Sequence, residues 1–288
     1  MHRRLLGVLA AAFLGTATLT AAASTASAAP APPTPAPATT AVDFTGIVAL
    51  SNCSGSLVRT PGAADADPAL VLTNGHCYEG GMPSAGQVIT NRASSRTFTL
   101  LNSSGQGTLG TLRATRMLYS TMTDTDVTLY KLNTTYAAIR QRYGTPALQL
   151  SLDHPAAGTD LRVVSGYWRR MYSCGLDGFA YRLREDQWTW KDSVRYTSAC
   201  DVIGGTSGSP VIDAGSGKVI AINNTINENG ERCTLDNPCE VDESGNVTVR
   251  PHIGYAQETY GLAACIAPGS VLDFGRSGCT VPHARQAR

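Results

Sequence analysis

From Val42 onward the chain alternates brief apolar runs with clusters of Gly, Ser, Asn and Pro. Examples are Gly46 to Leu50, Gly55 to Val58, Leu70 to Thr73, Arg96 to Leu101, Val127 to Leu132, Asp160 to Ser165, Ser209 to Ile212 and Lys218 to Ile222. Each is short and rich in Val, Ile, Leu or Thr, a pattern that predicts β-strands. Two stretches carry a helical pattern, Tyr136 to Tyr143 and Tyr255 to Ile266, and Gly261 weakens the second. Many strand signals and few helix signals predict an all-β barrel or sandwich rather than an α/β sheet. No repeat of solenoid length interrupts that picture.

The two ends have a different composition. Met1, His2, Arg3 and Arg4 precede an apolar stretch from Leu5 to about Leu19, followed by Ala26-Ser27-Ala28. That order predicts a secretory signal peptide over residues 1–28, cleaved after Ala28. The stretch is rich in Ala, Gly and Thr and falls short of the roughly 20 strongly apolar residues that span a bilayer. Residues 29–41, which include APAPPTPAPATT, predict an extended linker or pro-region because they have little apolar surface to bury. The remaining domain, 42–288, is long enough for one core or two closely packed lobes. The expectation is therefore a secreted, extracellular monomer with no membrane attachment after processing.

Charge and cysteine content narrow the chemistry. A formal charge of +1 argues against electrostatic capture of nucleic acid, and the basic end holding Arg285 and Arg288 reads as a solvated tail. Eight cysteines in a chain bound for an oxidising compartment point to disulfides. Metal ligation is the weaker reading, since close Cys-x-x-Cys hooks are lacking and the five histidines are scattered. The spacing of Cys233 and Cys239 suits a loop staple as well as a ligand pair.

Three short motifs could together supply nucleophilic acyl transfer, which needs an activated hydroxyl, an oriented base and donors for an oxyanion. In Leu72-Thr73-Asn74-Gly75-His76-Cys77 an apolar strand ends in small residues and delivers a histidine with room beside its ring. In Asp124-Thr125-Asp126-Val127 an acid directly precedes a strand-like run, where it could accept the imidazole Nδ1 proton. Asp126 abuts the apolar run; Asp124, set back by polar positions, is its rival. In Gly204-Gly205-Thr206-Ser207-Gly208-Ser209-Pro210 the glycines permit a tight loop whose amides, those of Gly205 and Ser207, could converge on one point. One such donor is typically worth about 3 kcal/mol in the transition state. Singly, a histidine beside a cysteine or a Gly-Ser cluster is an ordinary structural feature. Their joint occurrence in one order carries the signal, and this chemistry requires no cofactor and no metal.

These motifs resemble those of the chymotrypsin-like (trypsin-like) serine peptidases, in which histidine, aspartate and serine occur in that order. Here the separations are 50 and 81 residues. The segment Cys53-Ser54-Gly55-Ser56-Leu57-Val58 followed by Leu72 to Cys77 is similar to the family's first barrel, and Gly205 to Pro210 is similar to the bacterial glutamyl-endopeptidase-type subgroup. The resemblance implies two six-stranded antiparallel barrels with a short C-terminal helix, and a serine endopeptidase acting on proteins or peptides with His76, Asp126 and Ser207 as its triad. It also implies a Cys53–Cys77 bridge beside the histidine, worth roughly 3 to 4 kcal/mol in the chain-entropy model. Proximity along the chain suggests Cys174–Cys200, Cys233–Cys239 and Cys265–Cys279, with Cys200–Cys233 as the family-like alternative.

The chain departs from the family at several points. Thr206 stands where trypsin-type members carry the Asp that pairs with a freed N-terminus, so activity is expected not to depend on such an ion pair. Asp201 lies six positions before Ser207, where trypsin-like enzymes place the acid that binds Lys or Arg at P1. Cys200 and Ile203 depart from the usual cysteine spacing there, so a pocket acid and a plain surface acid are both open readings. Asn223 occupies the place of the histidine found in glutamyl-specific relatives, which argues against acidic P1 residues. Asn223, Asn224 and Thr225 are instead candidates for the groove that pairs with substrate backbone. Trp168, Trp188 and Trp190 read as packing of the second barrel rather than a ligand platform. An α/β-hydrolase esterase fits poorly, because it needs Gly-x-Ser-x-Gly and the histidine last. A catalytically inactive member that binds partners through the same scaffold is the remaining alternative.

Overall fold

The period-2 patterns fold into strands whose apolar side chains face inward. The computed structural model describes residues 42–283. The expected signal peptide, the linker and the tail holding Arg285 and Arg288 lie outside the described residues. The first sheet is built from β1 (Ile47–Ala49), β2 (Ser54–Arg59), β3 (Pro68–Thr73), β4 (Val88–Ala93), β5 (Thr97–Leu101), β6 (Thr108–Thr121) and β7 (Val127–Thr135). Its order β1-β5-β6-β7-β3-β2 closes on itself through a β1–β2 pair, giving an antiparallel six-stranded barrel with β4 as an extra partner of β6. Val48, Leu57, Val71, Phe98, Leu100 and Tyr130 fill its interior.

Helix α1 (Tyr136–Tyr143) follows β7, with the bounds its sequence pattern predicts. Thr135 caps it by accepting from the Ala138 amide at 3.1 Å, and Gly144 ends it in the left-handed region. The short β8 (Leu148–Gln149) joins β2 in parallel. The chain then crosses to a second sheet: β9 (Asp160–Ser165), β10 (Arg170–Glu185), β11 (Trp188–Tyr196), β12 (Pro210–Asp213), β13 (Val219–Ile226), β14 (Cys239–Val241), β15 (Val247–Val249) and β16 (Gly254–Glu258). The path β11-β16-β13-β12-β9-β10 is closed by β10–β11, so it too is a six-stranded barrel, with β14 and β15 as an outer extension. A five-residue α2 (Tyr260–Ala264) and the pair β17 (Ile266–Ala267) and β18 (Val271–Leu272) complete the described chain. The all-β double barrel with a short C-terminal helix agrees with the sequence expectation.

One local expectation fails. The predicted helix from Tyr255 to Ile266 begins as strand, because Tyr255 and Ala256 pair with Arg195 and Val194 of β11. Tertiary pairing overrides local propensity there, and only Tyr260–Ala264 is helical.

The barrels share a packed seam in which Ile47, Leu70, Leu72 and Leu129 of the first meet Ile212, Ile222 and Leu262 from the second half. Burying each large aliphatic side chain contributes roughly 1.5–3 kcal/mol, which fixes how the barrels face each other. Polar bonds add register to that contact. The Ser54 amide donates to the Ser207 carbonyl at 2.8 Å, Thr73 Oγ1 donates to the Ser54 carbonyl at 2.7 Å, and the Ser54 and Ser165 hydroxyls lie 3.0 Å apart. Four disulfides join Cys53 to Cys77, Cys174 to Cys200, Cys233 to Cys239 and Cys265 to Cys279.

Candidate active site

His76 sits just past the end of β3, and Asp126 immediately precedes β7, its neighbour in the first barrel. The Asp126 carboxylate is buried and accepts twice from one residue: Oδ1 from the His76 backbone amide at 3.0 Å, and Oδ2 from His76 Nδ1 at 2.7 Å. Asn74 Nδ2 donates to the Asp126 carbonyl at 3.0 Å, holding the acid's own backbone. Gly75 makes this grip geometrically allowed. A Cβ at that position would lie 2.0 Å from the Thr121 carbonyl oxygen and 2.8 Å from Asp126 Oδ1. Burial disfavours the charged imidazolium, but the adjacent carboxylate outweighs it by attraction and hydrogen bonding, so the His76 pKa is raised. Asp124 points elsewhere: it is partly exposed and pairs with Lys191.

Ser207 lies in the loop before β12 of the second barrel, across the seam. Gly208 beside it has φ +78°, and a Cβ there would meet the Ser54 carbonyl oxygen and Thr73 Oγ1, each at 2.2 Å. Only glycine lets the loop press this closely against the first barrel. Thr206 Oγ1 donates to the Ile203 carbonyl at 2.6 Å and accepts from Asn223 Nδ2 at 3.0 Å; Asn223 Oδ1 in turn accepts from the buried Tyr196 hydroxyl at 3.0 Å. A neutral network thus braces the loop from behind. The Gly205 and Ser207 amides donate to no protein acceptor among the described residues. Trp168 Nε1 donates to the Gly204 carbonyl at 2.8 Å and pins the front of the same loop. The Ser207 hydroxyl donates to the Asn224 carbonyl at 3.4 Å.

His76, Asp126 and Ser207 line one cleft of about 80 Å³ at the seam. Its apolar lining includes Met82, Met122, Trp188, Trp190 and Leu235, and besides Asp126 its acids are Glu185, Glu228 and Asp236, with no Lys or Arg in the lining. Glu185 is buried at the end of β10, where Thr225 Oγ1 donates to Oε2 at 2.6 Å and the Asp236 amide to Oε1 at 3.1 Å. Burial still dominates and pushes its carboxyl up to about 7.

The other residues singled out in the sequence have varied placements. Asn223, Asn224 and Thr225 line the cleft, although the Asn223 carboxamide is spent on the bracing network. Asn224 is the extra residue where the β13–β16 register shifts, and both of its side-chain polar atoms are buried without a partner. Asp201 is exposed and does not line the cleft, and its neighbour Cys200 is bonded to Cys174. Trp188 and Trp190 are core residues of β11 as expected, yet they also face the cleft. Trp168 is half exposed and holds the Ser207 loop rather than the barrel core. Glu185 went unnoticed in the sequence, though an acid two positions beyond the inward-facing Leu183 was a visible break in the apolar alternation.

Residues 53–222 match the family model of the trypsin-like peptidase domain. That is more than half of the chain, which therefore belongs to this family. No curated protein sequence matches it significantly. Solved structures similar to it include the active form of the Rv3671c protease from M. tuberculosis, 16% identical over 90% of this chain and 97% of that one, with a TM-score of 0.47. The MamO protease domain from Magnetospirillum magneticum is 12% identical over 77% and 95% of the two chains, with a TM-score of 0.46.

Proposed function

We propose that the chain is a secreted serine endopeptidase that cleaves proteins or peptides through His76, Asp126 and Ser207. The observation that carries the reading is the 2.7 Å contact between His76 Nδ1 and the buried Asp126 carboxylate, in a cleft that Ser207 also lines. In this mechanism Asp126 holds the Nδ1–H tautomer, leaving Nε2 to take the Ser207 proton as Oγ attacks the scissile carbonyl carbon. The resulting oxyanion accepts from the Gly205 and Ser207 amides, which are free for that purpose. Collapse breaks the C–N bond, Nε2–H protonates the departing amine, and water activated by the same imidazole releases the acyl group.

Beyond the β12 pairing, Asn224 to Ile226 are laddered on one side only, to β16. An extended peptide could add to the other side as a strand. The acids in the cleft favour substrates with a basic side chain near the scissile bond, supplied by Glu185, Glu228 or Asp236 rather than by Asp201. The lack of a histidine at Asn223 weighs against an acidic P1 preference, even though Gly205 to Pro210 is similar to the glutamyl-endopeptidase loop. Because Thr206 is uncharged and its hydroxyl bonds Ile203 and Asn223 within the loop, maturation on this reading needs no new N-terminal ion pair at this position. Four disulfides fit an oxidising destination, and no helix among the described residues is long and apolar enough to cross a membrane.

One observation favours the inactive alternative: the Ser207 hydroxyl donates to Asn224 and not to the imidazole. Catalytic hydrogen bonds are often unformed before substrate binds, and a χ1 rotation frees the hydroxyl. Hydrolysis of a peptide panel varied at P1 separates the readings. Ser207→Ala is expected to lower kcat by about a million-fold, with basic P1 or P2 peptides turned over fastest in the unaltered chain. Turnover that survives the substitution would refute the assignment.

A further inference from the structure

The scattered histidines of the sequence suggested no metal centre, but folding brings His154, Asp192 and Glu258 together on the second barrel, away from the cleft. His154 lies in the crossover between β8 and β9, Asp192 in β11, and Glu258 at the end of β16. Val194 pairs with Ala256 at the end of the β11–β16 ladder; Asp192 and Glu258 lie two residues beyond that pair, with Asp192 at a left-handed φ of 50°. Two carboxyl groups brought this close favour either a shared proton or a bound cation between them.

The His154 ring is held in place from three directions. Its centroid lies 4.6 Å from that of Phe179 and 5.5 Å from that of Tyr260, and Nδ1 is 2.7 Å from the Pro155 carbonyl, an acceptor only. Nδ1 therefore carries the proton and Nε2 offers its lone pair in the neutral ring. Nε2 faces Asp192 Oδ2 at 3.0 Å and Glu258 Oε1 at 3.1 Å. Even a protonated Nε2 has one hydrogen for two carboxylates. It bonds Asp192, and Glu258 Oε1 is left buried without a hydrogen-bond partner. The nearby Lys191 is engaged by Asp124, and no Lys or Arg among the described residues pairs with Asp192 or Glu258.

We propose that these three side chains form a divalent transition-metal site, with Zn²⁺ the best match. Ligand atoms around a tetrahedral zinc ion with bonds of 2.0–2.2 Å stand roughly 3.3 Å apart, close to the separations here. The Pro155 carbonyl supplies the backbone acceptor that commonly orients a metal-bound imidazole. Glu258, 8% exposed, forms the floor, while Asp192 at 47% and His154 at 42% leave room for water to complete the shell. An imidazole and two carboxylates suit Zn²⁺, whereas Ca²⁺ requires six to eight oxygens. Bound there, the ion clips the inter-barrel crossover to the β11–β16 ladder, a structural role independent of the peptidase reading.

Calorimetric titration of EDTA-treated full-length Ser207→Ala protein, which cannot digest itself, with ZnCl₂ tests the site. One equivalent is expected to bind, with affinity falling roughly 100-fold or more in His154→Ala, Asp192→Asn and Glu258→Gln and unchanged in His76→Ala. Asp192→Asn, at a half-exposed side chain, covers the case in which Glu258→Gln disturbs folding. Absence of Zn²⁺ binding, binding lost in His76→Ala but kept in His154→Ala, or tighter binding of Ca²⁺ than of Zn²⁺ would overturn the proposal.

Discussion

The imidazole of His76 depends on a neighbour that is easily overlooked. Gly75 leaves space for the Thr121 carbonyl and Asp126 Oδ1 where any side chain would collide, so Gly75→Ala must push His76 off its carboxylate. Peptidase activity in that variant is expected to fall at least 100-fold, since misplacing a catalytic group by about an ångström has that effect, while the circular dichroism of the barrels persists. The raised His76 pKa gives a pH signature. The base works only when neutral, so kcat/KM should decline on the acid side with a midpoint above 6.5; a midpoint below it would mean that Asp126 does not stabilise the imidazolium. Glu185 behaves in the opposite sense to a paired carboxylate. Its carboxyl is raised from 4.5 to about 7, so stability present while it is protonated is lost as pH rises across that interval, by on the order of 3 kcal/mol. Glu185→Gln should therefore match the unaltered chain near pH 4.5 and exceed it in denaturation midpoint above pH 7.

Secondary-structure elements set these residues in place through their ends and their registers. The Ser207 loop is braced behind by Tyr196, Asn223 and Thr206 and in front by the Trp168 indole. Trp168→Phe keeps the ring but removes the donor to Gly204; kcat is expected to fall roughly tenfold with KM little changed, as befits loss of positioning in an oxyanion loop. An unchanged kcat would show that the loop holds itself. The motifs that meet at the candidate cleft were legible in the sequence because each is local: a strand end, a strand start and a glycine loop. Strand β9 and helix α1 were equally plain, their bounds matching the patterns read at Asp160 to Ser165 and Tyr136 to Tyr143. What the sequence concealed depends on pairing. Strand β10 lacks a clean alternation because its register to β11 shifts between Leu176 and Gly178. The Tyr255 stretch looks helical until β11 claims it, and the partnership of Asp192 with Glu258 exists only once those strands meet. Of the two readings that the spacing of Asp201 left open, its exposed position agrees with the surface acid.

On the scale of the whole molecule, the proposed chemistry divides between the barrels: base and acid from one, hydroxyl and oxyanion amides from the other. Neither barrel alone holds the proposed site, so on that reading the apolar seam and the Ser54 bonds across it serve catalysis as well as structure. The Cys53–Cys77 bridge closes a span of 24 residues around His76. Its removal by Cys53→Ala with Cys77→Ala should lower stability by about 3 kcal/mol and broaden the thermal transition of the first barrel. The central claim is that the fold delivers an activated serine at this seam. The most direct measurement is fluorophosphonate labelling of the chain, with the adduct located by peptide-mapping mass spectrometry. A single adduct on Ser207 that disappears in His76→Ala is the expected result. An adduct on any other residue, or one on Ser207 that forms at the same rate without His76, would contradict it.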